Sequence, residues 1–142
     1  MIQARILHGG EAQGRVLALD APLSFWGAFD PRSGEIIDIH HPQCGSCITG
    51  TILMMRETRG SGTAPGGMAE AIRLGTAPAA IILIRPDINL AIGAEVAETL
   101  YGKICPVLAV LVADYAELAR HEALAIAGDG AITPLPRDSF PG

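Results

Sequence analysis

The feature that most constrains this chain is a pair of short apolar runs, residues 79–84 and 106–111, separated by a helical pattern. A brief run of Ala, Ile, Leu and Val is how a strand reads when both of its faces are covered. Between the runs, Ile92, Val96 and Leu100 recur at i, i+4 and i+8, with Glu95 and Glu98 elsewhere on the wheel. That spacing predicts a helix over residues 90–101 with its aliphatic stripe turned inward, closed by Gly102. Upstream, Met68, Ala71 and Ile72 share one helical face, and Gly75 is placed to end that helix. Strand and helix alternating at this interval imply parallel strands with right-handed crossovers.

The N-terminal half reads as β. Residues 2–7 form a candidate strand stopped by Gly9 and Gly10, and residues 14–19 a second stopped by Asp20 and Pro22. Residues 35–39 suggest a short strand. Residues 47–55, with Ile48, Thr49, Thr51 and Ile52, are the strongest β signal of this half. Asp30, Pro31 and Gly34 mark a turn, since proline fixes φ and glycine tolerates a positive one. Near the other end, Asp114 is expected to cap a short helix running to Leu118. Residues 123–127 and 131–135, flanking Asp129 and Gly130, read as a closing hairpin. The expected fold class is α/β: an N-terminal β part followed by β-α-β-α-β with parallel strands. It fills one domain over residues 1–136, with an irregular tail at 137–142.

Bulk properties narrow the function. Apolar residues make up 49% of 142 positions, enough to bury a core without staples. The net charge is −5, and the arginines are scattered rather than gathered into the basic stripe of a nucleic-acid binder. No apolar run approaches the roughly 20 residues that cross a bilayer. The first residues lack a long apolar signal core, so a cytoplasmic location, with no membrane partner, is expected. Three cysteines, an odd count, do not suggest a disulfide framework.

Three segments carry chemistry. The first is the glycine-rich stretch 59–67, between a β-like run and a helix start, where backbone N–H groups and the positive end of a helix dipole favour an anion. Ser61 lies at its centre, with Arg59 two residues before it. A serine hydroxyl becomes a base only where N–H groups or a nearby cation stabilise its alkoxide. Neither a nucleophile elbow nor a Walker A pattern is present. The second segment holds His40, His41, Cys44 and Cys47, a compact set open to a metal reading or to a packing role. Cys47 heads the expected strand, where a buried thiol is a small hydrophobe. The third, residues 22–30, gathers Phe25, Trp26 and Phe29 and suits a core or an interface. Cys105 reads as structural, and His8 and His121 as isolated, solvated side chains.

Taken together, these segments resemble the small, swivel-domain component of the aconitase X family. The family's Leu-Ser-Phe-Trp-Gly-x-x-Asp segment matches residues 23–30, and its Asp-x-x-His-Pro-x-x-Gly segment matches residues 38–45. A basic-Gly-Ser loop matches Arg59, Gly60 and Ser61. An Arg-x-Gly-x-Ala-Pro-x-Ala-Ile segment matches residues 73–81, and a helix motif around Gly93 matches residues 90–98. The matches run in order from about residue 5 to residue 135. The resemblance implies a swivelling β/β/α domain that is one part of a two-component hydro-lyase. It also implies that no cofactor is bound by this chain, no metal included. A large aconitase X catalytic subunit would carry an iron–sulfur cluster, whose open iron helps a β-hydroxyl depart. By the same resemblance Ser61 is the proton acceptor, and Arg59, Gly60, Gly62 and Thr63 form the substrate-binding loop. Substrates of the family include cis-3-hydroxy-L-proline and mevalonate 5-phosphate, both small hydroxy acids, and the alanine-rich composition favours the first. Two departures stand out. After Ser61 the chain reads Gly62-Thr63 without a second serine, which argues against a phosphate-bearing substrate, and Cys44 and Cys47 stand where the family pattern has none.

Two readings of other classes remain open at this point. A swivelling phosphohistidine carrier needs a histidine in the glycine-rich loop, and none lies between Thr58 and Met68. A non-catalytic metal-binding module would be built on His40, His41, Cys44 and Cys47.

Overall fold

The structure, a computed structural model, describes residues 1–24, 28–58 and 64–136. Eight strands are present among them: β1 (Ile2–Gln3), β2 (Arg5–His8), β3 (Ala12–Ala18), β4 (Ile52–Met55), β5 (Ala80–Leu83), β6 (Val107–Ala109), β7 (Ala123–Ile126) and β8 (Ala131–Pro134). Three helices accompany them: α1 (Ala64–Leu74), α2 (Ile88–Tyr101) and α3 (Val112–Leu118). The strands form one sheet in the order β1-β8-β7-β3-β4-β5-β6-β2. The central four, β3 to β6, are parallel. Every other pairing is antiparallel. The α/β class and the parallel β-α-β-α-β half are therefore as the apolar runs imply.

The two runs are buried for the expected reason. All of β4, β5 and β6 is buried, and side chains alternate between two cores. Leu53, Met55, Ile81, Leu83 and Val107 face one core with Met68, Ala71 and Ile72 of α1 and Leu90, Ala94 and Ala97 of α2. Ile52, Met54, Ala80, Ile82 and Leu108 face the other, with Tyr115 and Leu118 of α3 and Leu124, Ile126 and Ile132 of the closing hairpin. A covered sheet of this kind tolerates no polar residue at these positions without a hydrogen-bond partner.

Several sequence expectations are corrected. The single strand over residues 2–7 is two half-strands broken at Ala4. They are consecutive in the chain yet lie at opposite ends of the sheet, β1 on β8 and β2 on β6. The sheet must therefore curl until its ends meet at Ala4, whose N–H donates to Gly130 O at 3.0 Å. Residues 35–39 form no strand; they make only isolated bridges, Phe29 to Ile36 and Glu35 to Cys47. The strand expected from residue 47 begins at Ile52, because Gly50 turns the chain at φ 71°. Asp114 is not a cap: Leu111 holds that position, and Asp114 sits inside the first turn of α3, where a carboxylate still suits the helix dipole.

The inward stripe of α2 is also corrected. Ile92, Val96 and Leu100 are 45%, 39% and 64% exposed. The buried residues are Leu90, Ala91, Gly93, Ala94 and Ala97. α2 lies against α1 and the sheet through its smallest side chains, which let backbones approach closely, so the bulky aliphatics are left outside. Its ends are built as expected for a helix. Asp87 caps the start by accepting from Asn89 N at 2.8 Å, and Gly102 closes the end at φ 67°.

The turn at residues 30–34 forms as read. Asp30 O accepts from Gly34 N at 2.7 Å, and Asp30 Oδ1 accepts from Arg32 N at 2.9 Å. Gly34 sits at φ 78°, and a Cβ there would run into the Thr49 hydroxyl.

Candidate functional site at the carboxyl end of the parallel strands

In open α/β sheets, ligands sit in the crevice beyond the carboxyl ends of parallel strands, where loops and helix N-termini converge. Here β3 ends at Ala18 and leads to Leu19 and Asp20, while β4 ends at Met55 and leads to Arg56, Glu57 and Thr58. These two exits, with Tyr115 and Ala119 of the α3 region, line a cleft of about 390 Å³.

The walls are tied together. Arg56 O accepts from Ile84 N at 3.0 Å and from Arg85 N at 2.8 Å, which joins the exits of β4 and β5. Arg85 Nη1 lies 3.3 Å from Glu57 Oε2. The Thr58 hydroxyl donates to Asp87 Oδ2, so the carboxylate that caps α2 also holds the last residue before the glycine-rich loop. The opposite wall, residues 20–22, is clamped by the segment read as a metal candidate. His41 is only 6% exposed. Its Nδ1 lies 3.0 Å from Gln43 N, and its Nε2 lies 3.0 Å from Ala21 O. An amide N–H must donate and a carbonyl must accept, so Nδ1 is bare and Nε2 carries the proton. Gln43 completes the clamp. It accepts from Asp20 N at 3.1 Å and donates to Asp20 Oδ2 at 2.6 Å.

That arrangement overturns the metal reading of the histidine–cysteine segment. Both ring nitrogens of His41 are committed to protein partners, and Cys44 and Cys47 are exposed. Among the described residues, His40, His41, Cys44 and Cys47 form no convergent ligand set. Cys47, expected to be buried at a strand start, is exposed and lies 3.6 Å from Ser33 O. Nor does the chain fit an iron–sulfur cluster. Cys105 is buried against Pro78 O, and burial pushes its thiol up to about 12, so it stays protonated.

Arg59, Gly60, Ser61, Gly62 and Thr63 lie outside the described residues, as do Phe25, Trp26 and Gly27. The residues on either side are defined: Thr58 follows β4, and α1 begins at Ala64. Leu23 and Phe29, which flank the Phe25–Gly27 stretch, are both core residues, 0% and 2% exposed. The isolated, solvated reading fails for His8, which is 8% exposed and lies 3.1 Å from Glu95 Oε2. His121 keeps a partly exposed side chain but is not isolated: it lies 3.5 Å from Glu117 Oε1.

Two groups in the cleft escape a reading of the sequence. Arg56 is the first charged residue past the buried run of β4, three positions before Arg59, and that position is the signal that marks it. Tyr115 is 8% exposed, and its hydroxyl has no hydrogen-bond partner among the described residues. Burial holds its phenol above the usual range; the charge of Arg56 opposes this and that of Asp20 adds to it. A guanidinium beside an uncommitted O–H is a complement for a carboxylate. Only the fold brings Tyr115 to that cleft.

The comparisons with known proteins agree with this architecture. The family model described as the aconitase X swivel domain matches residues 1–133. The chain belongs to the aconitase X swivel-domain family. It is 44% identical over 99% of its length to a cis-3-hydroxy-L-proline dehydratase of Pseudomonas aeruginosa, of which it spans 24%. It is 35% identical to a phosphomevalonate dehydratase small subunit of Methanothermobacter thermautotrophicus, over 68% of this chain and 73% of that one. The chain thus spans about a quarter of the first dehydratase and most of the second. The fold matches the crystal structure of Thermococcus kodakaraensis aconitase X (holo-form) with a TM-score of 0.78 at 24% identity, covering 94% of this chain and 97% of that one. The solution NMR structure of a UPF0107 protein matches with a TM-score of 0.81 at 23% identity, covering 95% and 98%. The swivel architecture is common to all three. No helix among the described residues is long and apolar enough to cross a membrane.

Proposed function

We propose that this chain is the swivel-domain part of an aconitase-like hydro-lyase, and that its substrate is cis-3-hydroxy-L-proline. The observation that carries the choice of substrate is the 44% identity to a cis-3-hydroxy-L-proline dehydratase across 99% of the chain. The phosphomevalonate subunit aligns over only 68%. The absence of a second serine after Ser61 points the same way, because a phosphate would call for more hydroxyl donors.

In this reading Ser61 accepts the proton α to the substrate carboxylate. Arg59 and the amides of Gly60, Gly62 and Thr63 stabilise the oxyanion that makes the hydroxyl a base. As the α C–H bond breaks, its electrons form the new double bond and the β C–O bond breaks with its pair leaving on the hydroxyl. That hydroxide and the proton taken up by Ser61 together make the one water released when the serine is returned to its starting state. The large aconitase X subunit supplies the rest of the active site and the iron–sulfur cluster, since the described residues of this chain hold no thiol set for one. Docking of that subunit closes the loop off from water, which strengthens every charge interaction within.

The test is co-purification of this chain with the large subunit, followed by turnover assays on cis-3-hydroxy-L-proline and on mevalonate 5-phosphate. The expected result is dehydration of the first only, with none from the small chain alone. Ser61→Ala is expected to lower kcat by about a thousandfold or more, the scale of losing a positioned base, while the two chains still co-elute. Near-full turnover in that variant would falsify the role of Ser61, and preference for the phosphorylated acid would overturn the substrate.

A further inference from the structure

Far from the glycine-rich loop, β2 and α2 bring together His8, Glu95 and Glu98, and one ligand atom of each lies within 4.8 Å of the other two. Glu95 and Glu98 are spaced i, i+3 and therefore share a face of α2. Charge and burial are distributed unevenly: the His8 side chain is 7% exposed, those of Glu95 and Glu98 64% and 38%.

The hydrogen-bond inventory makes the cluster informative. His8 Nδ1 is 3.1 Å from Glu95 Oε2. An ionised carboxylate only accepts, so Nδ1 carries the proton, and Nε2 in the neutral ring is a bare lone pair. That Nε2 is buried and has no hydrogen-bond partner among the described residues. It faces Glu98 Oε1 at 3.9 Å, too long for a hydrogen bond. Two electron-rich acceptors facing each other across that gap repel until a proton or a metal cation lies between them, and a metal cation competes for the same lone pairs. With bonds of about 2.1 Å to nitrogen and oxygen, two tetrahedral ligands stand about 3.4 Å apart. A small rotation of the Glu98 side chain brings the observed pair to that separation.

We propose that His8, Glu95 and Glu98 form a binding site for one divalent transition-metal ion of the Zn²⁺ type. Nε2 of His8 and the Glu98 carboxylate bind the ion directly. Glu95 holds Nδ1–H, which fixes the tautomer and aims the ring; a carboxylate behind a metal-bound imidazole is the usual second partner of such a ring. An imidazole nitrogen selects Zn²⁺, Mn²⁺ or Fe²⁺ over Ca²⁺ and Mg²⁺, which prefer all-oxygen sets. Entry is open: His8 and Glu95 line a groove of about 280 Å³ together with Ile88, Ile92 and Val96. Water completes the remaining coordination positions. Bound there, the ion cross-links β2, the strand beside the sheet closure, to α2.

The test is calorimetric titration of Zn²⁺ into the full chain after EDTA treatment and dialysis at pH 7.5. One equivalent is expected to bind, with a rise in Tm. Co²⁺ is expected to give d–d absorption without a thiolate charge-transfer band. Glu98→Gln, at an exposed position that circular dichroism can verify as folded, is expected to weaken binding at least tenfold, and Glu95→Gln to weaken it less. Cys44→Ser combined with Cys47→Ser is expected to leave binding unchanged. Uptake below about 0.1 equivalent, or uptake that survives Glu98→Gln and vanishes in the double serine variant, overturns the assignment.

Discussion

Two buried histidines, His41 and His8, differ by only two percentage points in exposure, 6% and 8%, yet their surroundings are built to opposite ends. Around His41 both ring nitrogens are spent, on Ala21 O and Gln43 N, and Gln43 in turn holds Asp20 N and the Asp20 carboxylate. Around His8 one nitrogen is held and the other faces a carboxylate oxygen 3.9 Å away. Burial alone does not distinguish a structural histidine from a ligand-binding one; the number of satisfied nitrogens does. A sequence with two histidines beside a Cys-x-x-Cys directs attention to the wrong one.

The sharpest way to break this comparison is His41→Ala. Truncation leaves the part-buried Ala21 carbonyl and Gln43 N–H without partners and frees the wall of the cleft, so a loss of about 2 kcal/mol is expected. In metal-free buffer His8→Asn is expected to cost about 1 kcal/mol, because Nε2 has no bond to lose. Urea denaturation of both variants measures the difference, and equal losses would erase the distinction. Tyr115→Phe sharpens the point with a third buried polar atom. Its hydroxyl bonds to nothing in the free chain, so its removal is expected to leave stability unchanged or raise it by about 0.5 kcal/mol. The smallest effect concerns the thiols. Iodoacetamide at pH 8 is expected to label Cys44 and Cys47 within minutes and to spare Cys105, whose pKa of about 12 leaves almost no thiolate in the folded state. Mass spectrometry reads the two additions, and a third should follow only on unfolding.

The sequence is most legible where periodicity and burial coincide. Residues 79–84 and 106–111 announce β5 and β6, because strands covered on both faces leave a run that nothing else in a domain this size produces. Gly75 and Gly102 mark helix ends through their need for positive φ, at 79° and 67°. Legibility fails where the choice is made by distant packing. The α2 stripe was readable as Ile92, Val96 and Leu100, but α1 and the sheet chose Ala94 and Ala97, since close approach outweighs the burial of larger groups. The break at Ala4 leaves no trace in residues 2–8, because a strand that changes partners looks like one that does not. In the site, Arg59 and Ser61 stand out by composition. The Asp20–His41–Gln43 clamp closes on residues 20 and 23 positions away, and Tyr115 reaches the cleft from farther still, beyond the reach of any local pattern.

That break at Ala4 also couples the two borders of the sheet. With residues 2–3 seated on one rim of the sheet and 5–8 on the other, a single short ribbon stitches both borders shut. Strain applied to either border is therefore carried through one covalent joint to the other, and neither rim can peel away without loosening its counterpart.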